Sequence, residues 1–425
     1  MSQPVDMAQG KVSTVLFRLA LPMMISLFFQ NLYTYADTVF VAWLGEIPLA
    51  AVSLAVPLTY VALSLAKGIS MGSVVLMSFS RGRGDLDSVR RIAVHMLPLL
   101  SLAMLLFFPL LAPSVCRAFF RLAGADPAMA EVGVGFVFWL VLGFPVMGYV
   151  FAAEAIFTAR GDTMTPMKAM VLGNVINIAL DPLYIFVFGW GVAGAAGATF
   201  TGQCIAAVYL GLHLRPIEEA RLRWLPCSGC FRQWRKILGQ GVFISMAYLI
   251  SPVALLLLNL VLAQFGPVAV GAWNMMSRTE MMVMLPVMGL GNALANFTGF
   301  NLGRKDFGRI RQGVIFFFKM SWAVITPFML LFIFFPYEVI GLFRPAAQLQ
   351  ALAGLAVQAS GVSGLFAPLM YAVLGMSQGV KRPIYMVVLS FVYLICLRIP
   401  LANAFAAHEG VRGVFWSHPA ASALM

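Results

Sequence analysis

Charge is what this sequence has least of. Asp, Glu, Lys and Arg make up only 10 % of its 425 residues, and 61 % are hydrophobic. Soluble domains are nearer a quarter charged, so the composition excludes an ordinary soluble fold. Period-two alternation is also missing. The apolar runs are continuous and long enough for helical spans of about 20 residues, which argues against a transmembrane barrel. Lipid leaves free backbone groups without partners, so the runs read as helices. Catalytic signatures are lacking: there is no HExxH, no GxSxG and no GK[ST] phosphate loop, and the four histidines are scattered. The chain therefore reads as no enzyme, with no resident cofactor or metal. No fused ATP-binding domain is seen, so uphill work needs an ion gradient or an external partner. Cysteine is sparse. Cys227 and Cys230 form a CxxC in a basic loop, two of the four ligands a structural zinc wants. Reduced loop thiols are expected there. No cleavable leader is read, because the first apolar run is too long and no small-residue cleavage site follows it.

What is present is an all-α polytopic membrane protein. Twelve spans are expected at 14–43, 48–79, 92–113, 132–158, 164–188, 192–214, 236–265, 268–300, 313–335, 349–376, 383–406 and 411–425. The last stops after about fifteen residues, short of the ~20 that a crossing needs. With the N-terminus in the cytoplasm, 19 of the 28 basic residues fall on the cytoplasmic side, 4 on the other and 5 inside spans. That bias fixes the orientation, N-terminus inside, in a bacterial inner membrane. It also accounts for the net charge of +12 as a topology signal, so the partner is the bilayer and not nucleic acid.

The longest polar segment lies between spans six and seven. It divides the chain into a six-helix lobe at 1–214, a basic cytoplasmic linker at 215–235 and a second six-helix lobe at 236–425. The lobes repeat. Gly82-Arg83-Gly84-Asp85 recurs as Gly303-Arg304-Lys305-Asp306 at an offset of 221, and Gly68 maps to Gly289 at that offset. Pro166, Pro182 and Gly191-Val192-Ala193-Gly194 recur as Pro383, Pro400 and Gly410-Val411-Arg412-Gly413, with spacings differing by one residue. An even number of helices separates the copies, so this is a parallel repeat, a transporter architecture with its site between repeats.

Four acids fall inside spans: Asp37, Glu154, Asp181 and Glu280. An ionised carboxylate at the bilayer centre costs about 2.5–3.5 kcal/mol, so such residues belong in a bundle interior or a wet cavity. Asp37 lies about six residues from the outer end of span one, and Asp181 and Thr199 about seven from the outer ends of spans five and six. At ~1.5 Å per residue all three sit roughly 10 Å deep. Asn177 lies one turn from Asp181, with Asn174 further in, and Tyr33 and Gln30 share the Asp37 face. A cluster of Asp37, Asn177, Asp181 and Thr199 is predicted in the first lobe, suited to a proton or to Na⁺. Glu154 is close enough to Arg160 to be solvated at the interface, and a functional role stays open. Glu280 is expected near Arg398, either as a lobe-holding ion pair or in transport, and Lys67 is open to both readings. Pro22 removes a backbone hydrogen bond from span one and predicts a hinge, or is a plain membrane-helix proline. Six methionines in Asn274–Met288 suit an adaptable apolar cavity or simple packing.

Together these segments resemble a known family. LALPMMISLFFQNLYTYADTVFVAWLG, PLAAVSLAVP, SRGRGD, DPLYIFVFGWGVAGAAGAT and LGRKDFGRIR are similar to the multidrug and toxic compound extrusion (MATE) transporters, over nearly the whole chain. The resemblance implies two six-helix lobes, the last helix shortened here, forming a V around a central cavity, and antiport of amphipathic, usually cationic, drugs or toxic cations against H⁺ or Na⁺. It implies a coupling acid at Asp37, a pair at Asn177 and Asp181, a hydroxyl at Thr199 and a hinge at Pro22. Another branch uses acids on helices seven and ten; this chain has none there, and so resembles the branch that couples through the N-terminal lobe. A monomer is expected. The alternatives are a Na⁺-coupled exporter using the same site, or a flippase for a lipid-linked precursor.

Overall fold

In the structure, a computed structural model that describes residues 4–220 and 230–425, the two repeated loops are helix caps. Asp85 accepts the Ser88 backbone N–H at 3.0 Å and opens α3 (Leu86–Met104). Asp306 accepts the Arg309 N–H at 3.0 Å and opens α10 (Phe307–Phe334). Each satisfies a donor that a helix start leaves free. The residue before each aspartate is left-handed, Gly84 at φ 77° and Lys305 at φ 61°.

Among the described residues, seven α-helices precede the linker: α1 (Val12–Ala42), α2 (Glu46–Gly82), α3, α4 (Pro113–Leu122), α5 (Pro127–Ala159), α6 (Met164–Pro182) and α7 (Val192–Leu214). Nine more described α-helices follow it: α8 (Cys230–Ala263), α9 (Pro267–Gly303), α10, α11 (Pro336–Gly341), α12 (Ala347–Gly364), α13 (Ala367–Gly379), α14 (Ile384–Phe391), α15 (Arg398–Glu409) and α16 (Val411–Ala423). Cys227 of the CxxC lies outside the described residues. Among the described residues, ten helical stretches are long and apolar enough to cross a membrane, and α12 with α13 makes an eleventh, bent by 54°. The twelfth, α16, has 13 residues.

The differences from the expected spans have local causes. Pro368 near the start of α13 cannot donate to the α12 ladder, and the tenth span breaks there. Pro113 and Pro336 start the short helices α4 and α11, at matching places in the two repeats. Wide π turns occupy Leu183–Val187, just after Pro182, and Val392–Leu397, just before Pro400. α1 runs unbroken through Pro22.

The chain forms two compact units. The first holds Ile25–Ser245 with the residues before Gln9, and the second holds Gln9–Met24 with Met246–Met425. The divisions therefore fall within α1 and α8 and not at the linker. They are themselves 221 residues apart, so each repeat exchanges the opening half of its first helix. The exchange needs close packing. In the first unit, a Cβ on Gly68 would stand 2.6 Å from Ser245 Cα. In the second, a Cβ on Gly289 would stand 2.7 Å from Met24 Cγ. Only glycine lets the backbones approach so closely.

The core of the first unit is apolar, with Phe107 and Phe144 edge to face at 5.0 Å among Leu100, Val137 and Val141. Towards the end of α6, Trp139 stacks on Trp190 at 6.1 Å, and Tyr184 packs against Trp190 at 5.1 Å. Such a cluster suits an interfacial aromatic belt. It also fixes α6 and α7 side by side near the residues described next.

Candidate functional site

α6 places Asn177 and Asp181 one turn apart on one face, and both are buried, at 3 % and 0 % exposure. The Asn177 amide does two jobs. It donates to Asp181 Oδ1 at 3.5 Å and to Thr199 Oγ1 of α7 at 3.2 Å. The Thr199 hydroxyl is itself spent as a donor, to the Ala195 carbonyl at 3.1 Å. α1 brings the Asp37 carboxyl against this group, facing Asp181, Thr199 and Asn177. The four residues expected to meet therefore meet within the first unit.

Donors are short in this cluster. Asp37 Oδ1, Asp181 Oδ2 and Asn177 Oδ1 are shut off from solvent with no hydrogen-bond partner among the described residues. Buried polar atoms without partners cost about 1–3 kcal/mol each. Two neighbouring carboxylates that share one weak amide donor also repel. A proton, or a small cation bound by oxygens, answers both problems.

A cavity of ≈ 60 Å³ adjoins the cluster, walled by Gln30, Tyr33, Asn174, Asn177, Thr199 and Gln203 among apolar neighbours. About 10–15 Å³ is enough for one water, and the polar side chains in this largely apolar wall are the partners a water would need. Asn174 Nδ2 and Gln203 Oε1, like Asn177 Oδ1, are buried along it with no hydrogen-bond partner among the described residues. Gln203 was not anticipated. Its signal was available, since it stands one turn after Thr199 on α7.

The remaining expected residues take different places. Gln30 accepts from Lys67 Nζ at 3.0 Å, so the α2 lysine reaches the inner edge of the same cavity. Tyr33 lies within electrostatic reach of both aspartates. Glu154 was expected to be solvated near Arg160. It lies instead within electrostatic reach of Lys67, while Arg160 pairs with Glu219 at 3.1 Å. Glu280 lies in the second unit, beside Ser360 and within electrostatic reach of Arg398. No Glu280–Arg398 ion pair within 4.0 Å forms among the described residues, so the expected lobe-holding pair is not closed.

Similarity to known proteins covers nearly all of the molecule. The MatE family model matches residues 22–183 and 244–403. The FAD transporter of Shewanella oneidensis is 25 % identical over 97 % of this chain and 92 % of its own length. The probable multidrug resistance protein NorM of Thermotoga maritima is 26 % identical over 91 % of this chain and 84 % of its own. A solved structure described as the outward-facing conformation of a multidrug resistance MATE family transporter superposes with a TM-score of 0.93. It is 24 % identical and covers 100 % of this chain and 95 % of that one.

Proposed function

The chain belongs to the MatE family, and we propose that it exports amphipathic, chiefly cationic, compounds in exchange for protons carried by Asp37 and Asp181. Members of this family are secondary transporters and not enzymes. The observation that carries the reading is the pairing of two membrane-embedded carboxyls served by few donors, beside a cavity with polar side chains in its wall.

The chemistry follows from the donor shortage. One proton between Asp37 and Asp181 supplies the missing donor and removes the like-charge repulsion. A cationic cargo near the pair offers the same relief, so proton and cargo compete. One pH unit supplies about 1.4 kcal/mol per proton, and 100 mV adds about 2.3 kcal/mol per charge. One proton therefore supports a cargo gradient of tenfold or more. On this reading the basic loops face the cytoplasm of a bacterial inner membrane and the protein works as a monomer.

The test is efflux of a cationic dye from vesicles with an imposed pH gradient, with and without Na⁺. Wild-type efflux follows the pH gradient without Na⁺, and Asp37→Asn loses it while remaining folded. Efflux that needs Na⁺ at fixed pH reassigns the same oxygens to Na⁺. Wild-type efflux by Asp37→Asn removes the reading.

A second cargo reading has its own support. The Shewanella oneidensis relative that aligns along almost the whole chain is named for a large anionic dinucleotide. Under it, the same coupling site drives export of an anionic aromatic compound.

A further inference from the structure

The repeat spacing carries the first-unit cluster onto the second unit with the charge at Asp181 reversed and Asp37 replaced by Leu258. The offset at Pro166 and Pro383 takes Asp181 to Arg398, within one residue. The offset at Gly191 and Gly410 takes Thr199 to His418. We propose that Arg398 anchors an anion-recognising site in the second unit, which takes the carboxylate or phosphate of an amphipathic cargo. The proposal rests on the exporter reading and names the cargo chemistry that this site selects.

The geometry is that of a prepared guanidinium. Arg398 lies over the Trp273 ring, 4.7 Å from its centroid. Trp273 is buried, stacked with Phe415 at 6.1 Å and edge-on to His418 at 5.9 Å. The short α16 thus serves as backing for the ring that holds Arg398. A guanidinium held over a ring through its charge keeps its N–H groups for hydrogen bonding. One edge of it, Nε with Nη2, is the pair that grips a carboxylate or phosphate with two parallel hydrogen bonds. Both atoms are buried with no hydrogen-bond partner among the described residues. His418 Nδ1 is also buried, with no hydrogen-bond partner among the described residues. Arg398 as a whole is only half-buried, although Nε and Nη2 are covered, so a cargo anion reaches them by displacing what lies over them. Glu280 is near enough to feel Arg398 yet does not close on it. We read Glu280 as the internal competitor for that edge, displaced when a cargo anion binds.

The experiment uses the full chain in proteoliposomes with three fluorescent cargoes: ethidium as the cation, a carboxylated fluorescein, and riboflavin phosphate. Wild type is expected to move ethidium and at least one anion, and whichever moves separates carboxylate from phosphate. Arg398→Met should lower anion transport and anion binding about tenfold, the scale of one lost charge-assisted pair, and leave ethidium transport within about twofold. Arg398→Lys should restore less than half, because an ammonium lacks the two-atom edge. Binding is read by quenching of tryptophan fluorescence in purified protein, which also reports folding. Transport of ethidium but of neither anion by wild type overturns the inference and leaves the exporter reading standing. Equal loss of all cargoes in a folded Arg398→Met overturns it too. Transport of none of the three overturns both.

Discussion

The two units share their helix order and differ in what they bury. Where the first carries Asp37, the second has Leu258 at the matching position, 2 % exposed. Where the first carries Asp181, the second has Arg398, to within one residue. The first unit gathers two carboxyls among few donors beside a cavity with polar side chains in its wall. The second gathers a guanidinium held over a ring, a histidine and a more distant glutamate. A duplicated scaffold has thus kept its caps, prolines and close-packed glycines, which the fold needs, and let its embedded charges diverge. The lesson is that an internal repeat predicts architecture far better than it predicts which half does the coupling.

The comparison is broken most severely at the glycines. Gly68→Ala drives a methyl group into the backbone of Ser245. It should cost at or above the top of the usual overpacking range of about 1–3 kcal/mol. Gly289→Ala meets Met24 Cγ at 2.7 Å and the Met24 backbone N and Cα at 3.0 and 3.1 Å, a looser clash that should fall inside that range. Thermal melting in detergent ranks the two. Equal losses would show that the exchange is not tighter in the first unit.

Giving the second unit the missing acid is the next step down. Leu258→Asp buries a carboxyl without the Asn177-type donor that the first unit supplies. It should destabilise by about 2.5–3.5 kcal/mol and add no second coupled proton. Melting and the proton-to-cargo ratio check the two halves of that statement.

A smaller effect comes from outside the spans. Glu219 accepts from Arg81 at 2.6 Å and Arg160 at 3.1 Å. Burial pushes its carboxyl up, but its backbone hydrogen bond and the two arginines outweigh this and hold it below the ordinary glutamate range. A depressed folded value means that its contribution is present above the unfolded value, about 4.3, and is lost as pH falls through the folded one. The melting temperature should drop in that acidic window, and Glu219→Gln should flatten the drop. An unchanged slope would count against the pairing.

The smallest effect tests the repeated loop itself. Lys305 holds the left-handed conformation that Gly84 holds in the first copy. Lys305→Gly should stabilise by about 1 kcal/mol, the cost of that conformation for a side chain with a Cβ. A loss of stability would mean that the lysine makes compensating contacts.

Much of this was legible in the residues. Continuous apolar runs located the spans, the paired Gly-Arg-x-Asp loops gave the repeat and its caps, and counting depth brought Asp37, Asn177, Asp181 and Thr199 together. Depth counting works because the rise per residue in a helix is fixed. Rotation about the axis is what a helix apolar on all sides does not reveal, since no face is marked. That is why the Lys67–Gln30 bond, the place of Gln203 and the turn of Glu154 towards Lys67 were not foreseen. The exchanged halves of α1 and α8 were hidden for a related reason: neither carries a composition change at Met24 or Ser245. The bend between α12 and α13 had a visible cause in Pro368, but prolines elsewhere, such as Pro22, sit in unbroken helices.

The central claim is that Asp37 and Asp181 hold a proton which a cationic cargo replaces. Its most direct test is proton release from purified protein in weakly buffered detergent, followed with a pH dye as ethidium is added. Wild type should release about one proton per ethidium bound, and Asp37→Asn should bind without releasing any. Equal proton release from both proteins, or none from wild type at saturating ethidium, would contradict the account.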